Sequence, residues 1–257
     1  MKTAIISDIH SNLAALEAVL GDIDQKGVDR IICLGDIIGY GPDPVECVDL
    51  IAQRCEWSLM GNHDFGVLYE PTNFNTAAEQ AAYWTRNQLD DAGKADTEAG
   101  MKRWEFLGRL RVRVGFDGFL CVHGSPRRPI NEYIFPEDAI NSPVKMEQIF
   151  ENIDTHCLVG HTHVPGVFTN EPDFYPPGDL DGEYTIREDE KAVINPGSVG
   201  QPRDLDPRAS YAVIEQDNGQ AKVRFHRLEY EVDRTVQRIR ENAHLSDWLG
   251  ERLLEGR

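Results

Sequence analysis

The sequence is poor in cysteine, and its cysteines form no recognisable pattern. The five cysteines stand far apart and include no Cys-x-x-Cys pair. Cys33, Cys121 and Cys157 lie in apolar, strand-like runs, which favours buried free thiols over a disulfide framework or a zinc cluster. Free thiols are typical of a reducing compartment, so we expect a cytoplasmic protein.

Long apolar runs are also missing. The N-terminal stretch MKTAIISDIH is interrupted by Asp8, which makes it too short and too polar for a signal peptide or a membrane span. No other segment approaches the roughly 18 consecutive apolar residues of a transmembrane helix. We therefore expect no membrane partner.

Positive charge is scarce as well, since 26 Lys and Arg face 44 Asp and Glu and give a formal net charge of -18. Such a surface repels a phosphate backbone, which argues against a protein that binds duplex nucleic acid through a basic face. The same field opposes small anionic substrates, so an enzyme for phosphates would need metal ions or arginines inside its cleft. Phosphate-binding loops, dinucleotide-binding glycine motifs and the Gly-x-Ser-x-Gly elbow of serine esterases are absent.

The first half of the chain alternates strand-like and helix-like patterns. The apolar runs TAIIS, RIICLGD and EWSLM are separated by the amphipathic stretches NLAALEAVLGDIDQKG and PVECVDLIAQR. Two further helices are expected from Thr76 to Leu89 and from Glu98 to Leu110. This order predicts parallel strands joined by right-handed crossovers.

The second half is dominated by short strands. VRVGFDGFLCVHG predicts a hairpin that turns at Asp117-Gly118, and a second hairpin turn is expected at residues 217–219. The Pro- and Gly-rich stretch from Asn170 to Glu190 is interpreted as a long loop, and one amphipathic helix is expected from Asp233 to Glu255. Since no repeat or linker is visible, the 257 residues predict a single domain, 1–257. Its expected class is α/β (α+β), a four-layer αββα sandwich of two mixed β-sheets flanked by helices.

Several of the apolar runs end in side chains that can bind metal ions. The group comprises Asp8, His10, Asp36, Asn62, His63, Asp64, His123, His161 and His163. Taken singly, each has an ordinary explanation as a helix cap, a turn residue or a core histidine. Together they do not, because burying unpaired polar groups costs about a few kcal/mol for each group. In open α/β sheets, ligands bind in the crevice at the carboxyl ends of the strands, where these side chains would converge.

The donor types narrow the choice of metal. Carboxylates, an amide oxygen and imidazoles without thiolates suit Mn²⁺, Fe²⁺, Zn²⁺, Ni²⁺ or Co²⁺ rather than Ca²⁺ or an iron–sulfur cluster. The donors are too many for one ion. The sequence therefore predicts a site for two divalent transition-metal ions.

The ordered motifs D-x-H, GD, GNH[DE], H and GHxH, from Asp8 to His163, resemble those of the calcineurin-like metallophosphoesterases. The segment NPGSVGQPR, from Asn195 to Arg203, is similar to the smaller bacterial branch of that family. The resemblance implies that two ions, with Mn²⁺ as the first choice, activate a bridging hydroxide that attacks phosphorus in line. The implied ligands are Asp8, His10 and His163 for one ion and Asn62, His123 and His161 for the other, with Asp36 bridging both.

The GNHD motif supplies two further roles. His63 resembles the family's non-ligand histidine, which points at the leaving-group oxygen or a phosphoryl oxygen. As a general acid it would contribute about 10²–10⁴-fold. Asp64 has no metal position left, so we expect it to support or cap the ligand loops.

One departure from the family pattern bears on the substrate. Protein phosphatases and symmetrical dinucleoside-tetraphosphate hydrolases resemble each other at GDxxxRG, whose arginine helps to hold phosphate, and protein phosphatases add an aspartate just before that arginine. This chain reads GDIIGYG, with Gly39 and Tyr40 at those two positions. This difference weakens both interpretations and slightly favours a phosphodiesterase over a phosphomonoesterase. Arg127 and Arg128 of HGSPRRP are the candidates for binding the substrate phosphate, and Arg203 is a further one. Solvent-facing roles explain these arginines equally well.

We therefore expect a phosphoester hydrolase of class EC 3.1 acting on a small phosphate ester, with nucleotides among the candidates. The alternatives are a protein phosphatase-like or dinucleoside-polyphosphate hydrolase and, from another class, a non-catalytic scaffold on the same fold. A scaffold would be expected to have lost ligands or His63, yet all of them are present. The sequence gives no indication of oligomeric state.

Overall fold

The computed structural model describes residues 1–171, 173–187, 189–217 and 220–257. The chain begins with the expected alternation: β1 (Lys2–Ile6), α1 (Leu13–Lys26), β2 (Arg30–Cys33), α2 (Pro44–Arg54) and β3 (Trp57–Ser58). The three strands pair in parallel, with β1 beside β2 and β2 beside β3. Helix α1 begins where the Asn12 side chain accepts a hydrogen bond from Ala15 N, and it ends at Gly27 in the left-handed conformation.

The remaining elements complete two sheets and their covering helices. They are, in chain order, α3 (Asn62–Leu68), α4 (Thr76–Ala95), α5 (Thr97–Gly108), β4 (Arg113–Phe116), β5 (Phe119–Val122), α6 (Asp138–Asn141), α7 (Pro143–Glu151), β6 (His156–Leu158), β7 (Gly166–Thr169), β8 (Asp173–Tyr175), a 3-10 helix (Pro177–Leu180), β9 (Glu183–Ile186), β10 (Ala192–Asn195), β11 (Ala209–Asp217), β12 (Gln220–Leu228), α8 (Val232–Arg240) and α9 (Asp247–Glu255).

The strands form two mixed sheets. The first has the order β3-β2-β1-β11-β12-β9 and the second the order β4-β5-β6-β10-β7-β8. In the first sheet β1 is parallel to β2 and antiparallel to β11, and in the second β10 is parallel to β6 and antiparallel to β7. The prediction of two mixed sheets flanked by helices is confirmed.

Apolar side chains fill three layers: between the first helices and the first sheet, between the two sheets, and between the second sheet and its helices. Alternate side chains of β1 point to opposite faces, so Ile6 packs with residues of α1 and α2 while Ile5 packs against the second sheet. The far face of the second sheet is covered by α7, where Val193 of β10 packs with Ile149. The result is a helix–sheet–sheet–helix arrangement with apolar layers on both faces of each sheet.

Two predictions of the sequence pattern are wrong. The stretch from Asn170 to Glu190 is not a long loop, because it contains β8, the 3-10 helix and β9, and the two strands form the edges of the two sheets. The closing helix is two helices, α8 and α9, which pack on each other across a turn at residues 241–246. In that turn Leu245 N bonds Asn242 O, and Ser246 then stands at the N-cap of α9.

The two hairpin turns have different outcomes. The turn at Asp117-Gly118 is confirmed, since both residues have positive φ and Phe116 pairs with Phe119 across it. The expected turn at 217–219 falls partly outside the described residues, which lack 218 and 219; the flanking strands pair Asp217 with Gln220. Among the described residues, no helix has the length and apolar character needed to cross a bilayer.

Candidate metal centre

The predicted donors follow the strands at one end of both sheets. In the first sheet, Asp8 and His10 follow β1, Asp36 follows β2, and Asn62 opens α3 just after β3. In the second sheet, His123 comes directly after β5, which is parallel to β6. The sequence pattern predicts that His161 and His163 lie on a strand. In the structure they lie in the loop after β6. The Asp and His side chains of both sheets meet at one rim, and Asn62 begins α3 beside it.

The first group of donors combines Asp8, His10, Asp36 and His163. One ligand atom from each lies within 4.8 Å of the others. His163 Nε2 is 3.2 Å from Asp8 Oδ1, and His10 Nε2 is 3.6 Å from Asp36 Oδ2. The two Nε2 atoms of His10 and His163 are only 3.1 Å apart, so both imidazoles present nitrogen to the same point.

The second group combines Asp36, His123 and His161, again with ligand atoms within 4.8 Å of one another. His123 Nε2 is 3.3 Å from Asp36 Oδ2. The other carboxylate oxygen of Asp36 accepts a hydrogen bond of 2.8 Å from His63 N, which holds the first turn of α3 against this carboxylate. Asp36 is therefore common to both groups.

Buried atoms at this rim lack hydrogen-bond partners among the residues that the structure describes. They are His10 Nδ1, Asp36 Oδ2, Asn62 Oδ1, His63 Nδ1, His123 Nε2 and His161 Nε2. Leaving buried polar atoms unpaired costs about 1–3 kcal/mol for each group. A divalent cation can be coordinated by an amide oxygen, a carboxylate oxygen and imidazole nitrogens together, and would provide the partner that these atoms lack. The residues present thus fit a metal site.

Hydrogen bonds on the outer side of the imidazoles fix their orientation. His123 Nδ1 lies 2.9 Å from Leu34 O, and His163 Nδ1 lies 2.5 Å from Gln201 O. These backbone carbonyls leave both Nε2 atoms facing the carboxylates. Backbone carbonyls orient metal-binding histidines in this way in many proteins.

The backbone of the donors is itself unusual. Five of them adopt a positive φ that non-glycine residues rarely use: Asp8 at 56°, His10 at 49°, Asp36 at 53°, His161 at 65° and His163 at 63°. Each such residue costs about 1–3 kcal/mol and persists only where its surroundings enforce it. The Asp8 carboxylate is one enforcing group, since both of its oxygens accept a hydrogen bond from His161 N, at 3.2 and 3.1 Å.

Asp64 ties the loops of the first sheet together. Its buried carboxylate accepts hydrogen bonds from Asp36 N at 2.8 Å, Ile37 N at 3.0 Å and Gly61 N at 3.0 Å. The expected capping role is therefore present. Burial, followed by the nearby charge of Asp36, raises the pKa of Asp64 to about 7.

His63 lies in an aromatic enclosure beside the donors. Its ring centroid is 4.2 Å from that of Tyr40, 4.5 Å from Phe74 and 4.8 Å from His10. Gly39 makes room for it, because a Cβ at that position would lie 2.5 Å from His63 Nδ1 and its φ is +91°. Burial lowers the pKa of His63 to about 4, and the positive charge of Arg203 acts in the same direction.

The other imidazoles differ in charge state. Burial lowers the pKa of His161 to about 3 and that of His10 well below its usual value. Burial would also lower the pKa of His123, but the carboxylates of Asp36 and Asp8 outweigh this effect and raise it to about 9. Neutral imidazoles carry the lone pair that metal binding requires, so most of these side chains are ready to act as ligands near pH 7.

The three arginines named from the sequence have different surroundings. Arg127 is held by Glu132 at 3.1 Å and by Gln148 at 2.6 Å, and Arg128 is exposed. Arg203 N donates to His163 O at 3.4 Å, which places this residue beside the donors.

One residue near the site was missed altogether. Arg252 of α9 lies with its guanidinium carbon 5.8 Å from the ring centroid of Tyr40. It stands well after the last motif, and no pattern in the sequence marks it.

The comparisons with known proteins agree with this geometry. A family model described as the calcineurin-like phosphoesterase superfamily domain matches residues 1–219. The chain is 38% identical over 264 residues to the uncharacterised protein MJ0912 of Methanocaldococcus jannaschii, covering 99% of this chain and 98% of that protein. This chain belongs to the calcineurin-like phosphoesterase superfamily.

Solved structures show the same fold. The metallophosphoesterase of Sphaerobacter thermophilus is 40% identical, with a TM-score of 0.81 and coverage of 100% of this chain and 99% of that one. The hypothetical protein PH1004 of Pyrococcus horikoshii OT3 is 20% identical, with a TM-score of 0.74 and coverage of 100% and 98%. Family membership implies phosphoester hydrolase activity and a metal site formed by the Asp and His cluster.

Proposed function

We propose that this protein is a phosphoric ester hydrolase of class EC 3.1 that uses two divalent metal ions. The observation that carries the proposal is the pair of buried Asp and His groups that share Asp36, together with the buried atoms around them that have no hydrogen-bond partner among the described residues. Metal-free packing would not retain so many unsatisfied atoms in one place. The family match to residues 1–219 supports the same reaction class.

The two groups assign the ligands. Asp8, His10 and His163 would hold one ion, Asn62, His123 and His161 the other, and Asp36 would contribute to both. The donor set accepts Mn²⁺, our first choice, as well as Fe²⁺, Zn²⁺, Ni²⁺ and Co²⁺. When bound, the ions supply an activated water near neutral pH and positive charge for the phosphoryl oxygens.

The remaining work falls to residues of the chain. His63 is close to His10 yet is not needed as a ligand in either group. Its lowered pKa keeps it neutral near pH 7, so the imidazole would donate a hydrogen bond to a phosphoryl or leaving-group oxygen rather than transfer a proton as the general acid expected from the sequence. Tyr40 and Phe74 pack on its ring and limit access of bulk water.

The substrate that we propose is a small phosphate ester, with nucleotides included. Gly39 and Tyr40, which lie against His63, stand where protein phosphatases have an aspartate and where GDxxxRG has its arginine. Protein phosphatase and dinucleoside-polyphosphate hydrolase activities are therefore the less favoured alternatives. That Arg127 and Arg128 bind the phosphate stays a prediction. We also propose that residues 1–257 act as one catalytic domain, and that the five free cysteines reflect the reducing cytoplasm.

The role of His63 gives the most direct test of the reaction. We expect His63→Ala to lower turnover of p-nitrophenyl phosphate or bis-p-nitrophenyl phosphate by about 10²–10³-fold, because it removes a hydrogen-bond donor to the phosphoryl or leaving-group oxygen. Metal content, measured by inductively coupled plasma mass spectrometry, should stay at the wild-type value. His244→Ala, which removes an exposed histidine, is the matched control and should retain full turnover.

Two results would count against the proposal. Equal turnover by the wild type and His63→Ala would refute the role of His63. A wild-type protein that hydrolyses neither substrate with Mn²⁺, Ni²⁺, Co²⁺ or Fe²⁺ would point to the scaffold alternative instead.

A further inference from the structure

Two arginines beside the metal centre have no Asp or Glu side chain as a partner among the described residues, although the chain carries a formal net charge of -18. Arg203 donates to the Gln201 side chain, and Arg252 Nε donates to Arg257 O. Neighbouring arginines behave in the ordinary way, since Arg208 pairs with Asp206 at 2.6 Å and Arg238 with Asp43 at 2.5 Å. A half-buried guanidinium with no carboxylate side chain beside it keeps its charge available for a ligand of negative charge.

Arg203 is held at the rim by the donor loop itself. Its backbone N bonds His163 O, and its side chain donates to Gln201 Oε1 at 3.1 and 2.6 Å. The carbonyl of Gln201 also bonds the His163 ring. Arg203 is half-buried. Burial of the His163 ring lowers the pKa of His163, and the positive charge of Arg203 is the next largest cause of that decrease. The loop thus fixes this cation next to the first donor group.

Arg252 reaches the same place from the C-terminal hairpin, α8 and α9. Its guanidinium carbon lies 4.5 Å from the ring centroid of Trp248 and 5.8 Å from that of Tyr40. Tyr40 in turn lies 4.8 Å from His10 and 4.2 Å from His63, centroid to centroid. One aromatic ring therefore separates this guanidinium from two histidines of the site.

The hairpin is fixed firmly enough to position a side chain. Leu249 and Leu253 of α9 pack in one apolar cluster with Tyr40. Leu205 N bonds Gly256 O at 2.9 Å, which joins the end of α9 to the loop that carries Arg203. Helices α8 and α9 themselves lie outside residues 1–219, the part of the chain that the family model matches.

The two cations act on each other. Burial, followed by the positive charge of Arg203, lowers the pKa of Arg252 to about 10. Like charges held together at a half-buried rim destabilise one another until an anion lies between them. Guanidinium groups bind the oxygens of a phosphoryl group through paired, charge-assisted hydrogen bonds.

We propose that Arg203 and Arg252 form the anion-binding wall of the active site and hold the phosphoryl oxygens of the substrate, so that the C-terminal hairpin completes the site. The inference rests on the proposed hydrolase function for its substrate class. It assigns the phosphate contact to this pair rather than to Arg127 and Arg128. The rings of Trp248 and Tyr40 lie beside the Arg252 guanidinium, within the distance of a cation–π contact.

Binding of inorganic phosphate tests the inference without depending on turnover. Isothermal titration calorimetry of the Mn²⁺-loaded full chain, at constant ionic strength, is compared among the wild type, Arg203→Gln and Arg252→Gln. Each substitution should weaken phosphate binding about tenfold or more, because a charge-assisted hydrogen bond is lost. Arg252→Lys should recover part of the affinity, and Mn²⁺ content should not change in any variant.

Three control variants make the result specific. Arg240→Gln removes one exposed positive charge from the same hairpin and should bind phosphate within about twofold of the wild type. Arg127→Gln and Arg128→Gln test the rival assignment. Phosphate affinity unchanged in Arg203→Gln and Arg252→Gln, a loss confined to the rival pair, or no phosphate binding by the wild type would each overturn the inference.

Failure of the proposed function gives a different signature. Arginine-dependent phosphate binding by a wild-type protein that hydrolyses no phosphate ester would sustain the anion-binding wall and refute the hydrolase. Turnover by the wild type, with a phosphate affinity that depends on neither arginine, would support the hydrolase function and refute the anion-binding wall.

Discussion

Gly39 shows how strongly a single residue controls the site. Its positive φ of +91° and the 2.5 Å separation between a Cβ placed there and His63 Nδ1 leave no room for a side chain. We expect Gly39→Ala to displace the His63 ring and to lower turnover of p-nitrophenyl phosphate about 10- to 100-fold, with Mn²⁺ content retained.

Gly21→Ala is the matched control for that substitution. Gly21 lies inside α1 and has no atom within 4 Å of the added Cβ. Turnover should equal that of the wild type, and the free energy of unfolding should rise by about 0.5–1 kcal/mol. Wild-type turnover in Gly39→Ala would show that the His63 position does not matter for catalysis.

Residue types and spacing were enough to predict which Asp and His side chains cluster at the rim, but not their backbone conformation. Asp8, His10 and Asp36 were recognisable because they follow apolar strands whose carboxyl ends must meet. The positive φ of these residues could not be predicted, because it is imposed by contacts from distant segments such as the bonds between His161 N and Asp8. Arg252 was missed for a related reason, since its neighbour Tyr40 is 212 positions away along the chain.

At the scale of elements, the contact between α8 and α1 supports both the fold and the site. Thr235 of α8 is buried and donates a 2.8 Å hydrogen bond to Asn12 Oδ1, and Asn12 caps α1 and donates to Gly200 O at 2.9 Å. Asn12 therefore joins the C-terminal hairpin to the loops that carry His10 and Arg203.

Thr235→Val tests the importance of this contact. The change preserves shape and removes one buried hydrogen bond, so the free energy of unfolding in urea should fall by about 1–2 kcal/mol. Thr185→Val, on an exposed face of β9, is the control and should leave it nearly unchanged. A fall of equal size in both variants would show that the loss of the hydroxyl, rather than the bond to Asn12, is responsible.

Element prediction succeeded where periodicity is strong and failed where tertiary contacts decide. β1, α1, β2 and α2 have clear apolar spacing and were found almost to their ends. β9 was hidden in a Pro- and Gly-rich stretch, because its strand conformation depends on pairing with β12, as at Val223 and Tyr184. The break between α8 and α9 was hidden because the amphipathic pattern continues across it.

At the scale of the whole molecule, the layered core explains the chemistry of the cysteines. Cys33, Cys47, Cys121 and Cys157 are buried and Cys55 is half-buried. Burial raises the pKa of every one of these thiols, to about 12 for Cys55 and Cys121. The thiolate is the reactive form, so none of them should react readily.

Thiol titration with a chromogenic disulfide reagent at pH 8 tests this view of the core. The native protein should react slowly or not at all, and all five thiols should react after unfolding in guanidinium chloride. Slow native reaction, if seen, should disappear in Cys55→Ser. Fast reaction of two or more thiols in the native protein would contradict the packing of the sheets.

The central claim concerns two ions at one rim, and an anomalous difference map of crystals of the Mn²⁺-loaded protein tests it most directly. The account predicts two peaks, one among Asp8, His10 and His163 and the other among Asn62, His123 and His161, with Asp36 between them. A single peak, or peaks away from these residues, would contradict it.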